Sequence, residues 1–246
     1  MSAPRIEPGA KRVRAWLGGE LVVDTIRPML VWEGPGYPAY YLPAADVRME
    51  LLIPTAGTKH SPDRGDAVVF DVKGGTKVAE GGAWQYAESP VDELRGLVRF
   101  DWAAMDHWFE EDEEVFVHPR SPYTRVDILP SSRRVRVELG GVVVAESTRP
   151  WLLFETGLPT RYYLPLVDVR MDLLRPSGTH TSCPYKGTAS YWSVEAGGQL
   201  FEDVAWYYPT PLPESERVAG LVSFFNEKVD LYVDGVLQER PKSKFA

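Results

Sequence analysis

Cysteine is nearly missing from this chain: Cys183 is the only one in 246 residues. A single thiol excludes an intrachain disulfide framework and any zinc site built from several cysteines. Positive charge is also in short supply. Lys and Arg number 27 against 35 Asp and Glu, a net charge of −8, whereas a general nucleic-acid surface needs a Lys/Arg face to neutralise phosphates. No apolar run approaches the roughly 18 residues that a membrane helix requires. The opening Met1–Gly9 has no apolar core of the kind a signal peptide carries. Neither a phosphate-binding loop nor a dinucleotide-binding glycine fingerprint occurs. These absences predict a cytoplasmic protein with no nucleic-acid partner, no membrane partner, no metal and no cofactor.

What is present is a duplication. Arg27-Pro28 matches Arg149-Pro150 at an offset of 149 − 27 = 122. The same offset pairs Gly18-Gly19 with Gly140-Gly141, Tyr40-Tyr41-Leu42-Pro43 with Tyr162-Tyr163-Leu164-Pro165, and Asp46-Val47-Arg48-Met49 with Asp168-Val169-Arg170-Met171. Past Tyr86 the second copy carries two extra residues, so Gly96 pairs with Gly220 and Phe100 with Phe224. The reading is an N-terminal tail over 1–11, a first domain over 12–118, a proline-stiffened linker over 119–132, a second domain over 133–240 and a C-terminal tail over 241–246. Fusion of two copies predicts a pseudo-dimer with internal two-fold symmetry, either monomeric or paired again as a homodimer.

Each copy reads as mainly β. Val135–Leu139 alternates, Gly140-Gly141 turns and Val142–Ala145 returns, a hairpin pattern. Further strands are expected at Trp151–Phe154, Arg161–Leu164, Ser190–Val194, Val204–Tyr208, Leu221–Phe225 and Val229–Val233. Two short helices are expected, Pro165–Leu174 and Pro213–Ala219, the latter opening on Pro and two glutamates.

The copies act as controls for one another. Positions alike in both serve the shared fold; positions reactive in one alone are candidates for function. Cys183 faces Ser61, Tyr185 faces Asp63, Lys186 faces Arg64, His180 faces Thr58, Tyr191 faces Val69 and Tyr207 faces Gln85. Cys183 and Lys186 are the candidate catalytic pair, because a neighbouring ammonium stabilises a thiolate. Tyr185, Tyr191, Tyr207 and His180 are candidate ligand contacts. Strand alternation sets Tyr191 and Tyr207 opposite Trp192, Trp206 and Tyr208, leaving the two tyrosines as pocket residues. Asp168 and Arg170 add candidate pocket polarity, although both copies share them and a two-residue spacing on a helix does not make them face each other.

Cys183-Pro184-Tyr185-Lys186-Gly187-Thr188-Ala189-Ser190-Tyr191, followed by Ala205-Trp206-Tyr207-Tyr208-Pro209, resembles the family called domain of unknown function 427. The second copy matches over nearly all its length. In the first, Ser61-Pro62-Asp63-Arg64-Gly65 departs at almost every reactive position, so that copy is expected to be inactive. The resemblance implies a compact fold of the β-tent type and no established activity. A nucleotidyltransferase-like label sometimes attached to the family implies paired carboxylates after a Gly-Gly turn. Gly140-Gly141 has none, and Asp168-Val169-Arg170 offers one acid. Three functions remain open: a small-molecule-binding module with its pocket in the second domain, an enzyme using Cys183 assisted by Lys186, and a structural scaffold.

Overall fold

The computed structural model describes residues 4–243. It divides into two compact units, Met1–Ser121 and Pro122–Ala246. In the first, the strands are β1 (Arg5–Pro8), β2 (Val13–Leu17), β3 (Glu20–Thr25), β4 (Met29–Trp32), β5 (Ala39–Pro43), β6 (Leu52–Ser61), β7 (Gly65–Gly74), β8 (Lys77–Gln85), β9 (Leu97–Phe100), β10 (His107–Glu110) and β11 (Glu113–Glu114). In the second they are β12 (Val126–Pro130), β13 (Val135–Leu139), β14 (Val142–Ser147), β15 (Trp151–Glu155), β16 (Arg161–Pro165), β17 (Leu174–Cys183), β18 (Gly187–Ala196), β19 (Gln199–Tyr207), β20 (Leu221–Phe224), β21 (Asp230–Val233) and β22 (Val236–Leu237).

Both units are built alike. The first has a seven-stranded sheet in the order β1-β4-β5-β9-β8-β7-β6 and a four-stranded sheet β11-β10-β2-β3. The second repeats this as β12-β15-β16-β20-β19-β18-β17 and β14-β13-β21-β22. Alternation within a strand gives the large sheet two different faces. In the second unit one face packs on the small sheet through Val135, Val137, Leu164, Val194, Ala205 and Phe224. The other carries a second apolar cluster of Leu153, Tyr163, Ala189, Trp206, Tyr208 and Val218. Adjacent Tyr162 and Tyr163 join opposite clusters, which is why the Tyr-Tyr pair recurs in both copies. Each fully buried side chain of this size contributes about 1.5–3 kcal/mol relative to exposure.

Three expectations need correction. Residues 5–8 are not tail but β1, paired with β4 from Arg5↔Trp32 to Pro8↔Met29. Within the expected linker, Val126–Pro130 is β12, paired with β15, and its Ile128 is buried. Pro8 and Pro130 obscured both strands, but proline is compatible with a sheet edge, where no ladder bond is lost. The helix expected over 165–174 is two 3-10 turns, Leu166–Asp168 and Met171–Leu173. Val169 between them is extended and bridges Ala145. The Pro-led turn over Pro213–Val218 forms, also as 3-10. At the C-terminus, Ser243 Oγ donates to Glu227; residues 1–3 and 244–246 of the expected tails lie outside the described residues. Among the described residues no helix is long and apolar enough to cross a membrane.

Candidate functional site

The Cys-Pro-Tyr-Lys-Gly segment is the turn between β17 and β18, closed by the pair Cys183↔Gly187. Gly187 sits at φ +93°, and a Cβ there would stand 3.1 Å from the Thr210 carbonyl. That conformation and that close approach explain why glycine closes the turn. The segment leading into the Pro213–Val218 turn clasps it from outside: Leu212 N–H donates to the Lys186 carbonyl at 3.2 Å and Ser215 Oγ to the Tyr185 carbonyl at 3.2 Å. Tyr185 is buried in this clasp.

Lys186 is buried as well, and its Nζ donates to Glu155 at the end of β15. The side chains of lysine and glutamate are only 11% and 8% exposed. The ammonium is therefore already matched by a carboxylate. Next to this pair, the strand register lines up Tyr163, Ser223, Trp206 and Tyr191 across β16, β20, β19 and β18. Trp206 Nε1 donates to Tyr163 Oη at 3.1 Å. Tyr191 Oη bonds Thr181 Oγ1 at 2.7 Å, and its ring stacks on Phe225 with centroids 6.3 Å apart. Phe225 also meets Trp206 at 4.5 Å. Ser223, in the middle of the row, is fully buried and its hydroxyl has no hydrogen-bond partner.

The electrostatics tie the thiol into this group. Burial pushes the Tyr208 phenol upward, and its neighbours Tyr163, Cys183, Tyr191 and Glu155 push it further. Tyr163 is raised first by burial, against the Trp206 hydrogen bond, with Glu155 and Cys183 adding to the rise. Both phenols stay neutral at physiological pH. Beside the row, Arg161 and Glu227 form a buried bidentate pair at 2.6 and 2.8 Å. The Arg161 Cζ lies 5.5 Å from the Trp206 ring centroid.

The structure brings together Cys183, Tyr185, Lys186 and Tyr191, and separates the other candidates from them. Tyr191 pairs with Trp206 in register and so shares its face. Tyr207 lies on the opposite face, tilted against Trp192 at 5.7 Å and packed on the inter-sheet core. The expected grouping of Tyr191 with Tyr207 is thus overturned, because alternation within each strand says nothing of register between strands. His180 pairs with Ser190, in line with Tyr207, and is exposed with Nδ1 3.3 Å from Ser190 Oγ. Asp168 accepts from Ser147 Oγ at 2.7 Å and from Arg149, while Arg170 pairs with Asp172. Asp46 meets Thr25 and Arg27 in the same way, so this acid anchors a scaffold turn in both units. Sequence reasoning missed Glu155, Arg161, Ser223 and Glu227. The offset 33 + 122 = 155 marks Glu155 as the partner of Glu33; nothing local marks the others.

No curated protein matches the chain. The family described as "Domain of unknown function (DUF427)" matches twice, over residues 5–111 and 127–235, and the chain belongs to that family with two copies of its domain in tandem.

Proposed function

We propose that the second unit is a small-molecule-binding module whose ligand contacts Cys183, Lys186 and Tyr191 on the Trp206 face of the large sheet. The observation that carries this reading is the buried Ser223 hydroxyl without a partner in the middle of an aromatic row. A buried donor left unpaired is costly and points to a group that completes it. Aromatic walls with a few fixed polar groups are the usual make-up of small-ligand sites. Charge favours a neutral ligand, since Lys186 is matched by Glu155 and Arg161 by Glu227. The same matching weighs against a Cys183 nucleophile activated by Lys186, because a neutral ion pair gives a thiolate little net stabilisation.

Thermal shift of the full chain against a panel of uncharged heteroaromatic and amide fragments tests the reading. Tyr191→Val and Cys183→Ser place the first unit's residues at the same positions and so suit the fold. The expected result is stabilisation by members of the panel that both substitutions abolish. No stabilisation, or stabilisation indifferent to both, overturns it.

A further inference from the structure

We propose that the first unit binds a small organic oxyanion, a carboxylate or phosphate, held by Arg64 and Arg99 with Lys59 at the rim. Its large sheet presents the same row as the second unit: Tyr41, Arg99, Trp84 and Val69 stand side by side in register. The chemistry of that row is different. Arg99 replaces Ser223, Arg64 replaces Lys186, and Lys59 replaces Thr181. Where the second unit carries one cation at these positions, the first carries three.

These cations converge. Lys59 Nζ lies 3.5 Å and Arg99 Cζ 4.9 Å from the Trp84 ring centroid. Glu33 stands between the two arginines, 3.6 Å from Arg64 Nη1 and 3.5 Å from Arg99 Nη2. Its Oε1 also accepts from Tyr41 Oη at 2.7 Å. Asp63 Oδ1 is 3.7 Å from Arg64 Nε and accepts from Ser61 Oγ. Glu33 accepts from Arg99 Nη2 at 3.5 Å and the Phe100 carbonyl from Arg99 Nη1, but other donors of the two guanidinium groups stay open. Arg64 Nε and Nη1, Arg99 Nε and Trp84 Nε1 are all buried without a hydrogen-bond acceptor. The side chains of Arg64 and Arg99 are only 13% and 17% exposed, so water does not satisfy these atoms freely.

The contrast with the second unit isolates the cause. There Trp206 donates to the tyrosine hydroxyl; here the equivalent Tyr41 hydroxyl turns to Glu33, and Trp84 is left without an acceptor. An oxyanion supplies the acceptors that these separate donors lack, because hydrogen bonds from a guanidinium to an anionic oxygen are the strong, charge-assisted kind. Arg99 and Glu33 also line a cleft of about 350 Å³ with Tyr37, Pro38 and Ala39. That volume accommodates a small organic body attached to the anion. The departures from the second copy's motif are thus a coherent change of ligand charge, from neutral to anionic.

Isothermal titration calorimetry of the full chain with inorganic phosphate and, separately, with benzoate tests this and distinguishes the two oxyanions. We expect saturable binding of at least one, weakened about tenfold or more by Arg99→Ser and by Arg64→Lys. Both substitutions install the second unit's own residues, and unchanged circular-dichroism melting confirms folding. Trp84→Phe keeps the ring and removes only the indole donor; it should weaken binding several-fold. Arg134→Ser, at an exposed arginine of the second unit, should leave the affinity unchanged. Absence of binding by both probes up to about 10 mM, or binding that survives both arginine substitutions, overturns the proposal.

Discussion

Removing Arg161 should unfold the second unit far more readily than removing Arg161 and Glu227 together. The Glu227 side chain is completely shielded from solvent and that of Arg161 is 8% exposed. Arg161→Ala therefore leaves a carboxylate buried with Ser243 but without its counter-charge, at a cost of about 3–5 kcal/mol. Glu227→Ala is milder, about 2–3 kcal/mol, because the guanidinium keeps Asn226 at 3.3 Å and the faces of Trp206 and Phe225. The double variant costs about 2 kcal/mol or less, which makes the coupling between the sites at least about 3 kcal/mol. The first unit supplies the precedent: Ala39 occupies the Arg161 position, since 39 + 122 = 161, and Ala103-Ala104 occupy the loop of Glu227. Two-unit chains rarely unfold in one step, so native-state hydrogen exchange is the suitable assay. Amides of β16 and β20 report opening of the second unit, and those of β5 serve as internal reference. Loss of less than about 1 kcal/mol of protection in Arg161→Ala, or simple additivity in the double variant, refutes the reasoning.

Further expectations follow from individual contacts. Burial opposes ionisation of Glu227, but the Arg161 and Ser243 hydrogen bonds outweigh it and hold its carboxyl below the ordinary range. Its contribution is fully present above the unfolded value near 4.3 and is lost as pH falls through the lower folded value. Acid titration should therefore weaken second-unit protection in that window, and the Glu227→Ala background should flatten the slope. Tyr191→Phe removes the bond to Thr181 and should cost about 0.5–1.5 kcal/mol in second-unit exchange, with no change in the first. Gly74→Ala places a Cβ 2.0 Å from the Leu17 carbonyl and should destabilise the first unit by at least about 2 kcal/mol, although the second unit carries Ala196 at that position.

The architecture was legible wherever a strand's own residues decide its fate. The Gly140-Gly141 hairpin, the alternation of β13 and the apolar runs of β14 to β16 follow from local pattern, and the repeat divides the chain. The edges were not legible, since Pro8 and Pro130 read as breaks. Register was not legible either: β18 carries an irregularity between Trp192 and Val194, and only the pairing of Tyr191 with Trp206 shows which tyrosine belongs to the site. The site itself depends on long-range partners. Lys186 meets Glu155 from 31 residues away, and Arg161 meets Glu227 from 66. No local spacing encodes such pairs, so Cys183 and Lys186 stood out as reactive types while the acid that neutralises Lys186 did not.

Each unit lays one guanidinium over its central indole, but from a different strand. Arg99 on β9 lies 4.9 Å from Trp84, and Arg161 on β16 lies 5.5 Å from Trp206. Where one unit has arginine the other has a small residue, Ala39 against Arg161 and Ser223 against Arg99. Arg161 stands two residues before Tyr163, the register partner of Ser223, so the positions are diagonal neighbours about 7–8 Å apart on one face. In each unit one of these two positions supplies the guanidinium that covers the indole. Ser223→Arg alone should therefore crowd a second cation into a fully buried position, costing about 3–5 kcal/mol in exchange of β19 and β20. In the Arg161→Ala, Glu227→Ala background the same substitution should recover at least half of that, because it recreates the first unit's arrangement. If Ser223→Arg is harmless by itself, or the background brings no relief, the two arginines do not compete for one place. If relief is seen, the strand that supplies the arginine sets the charge of the face: Arg161 arrives matched by Glu227, whereas Arg99 must share Glu33 with Arg64 and leaves donors open for an anion.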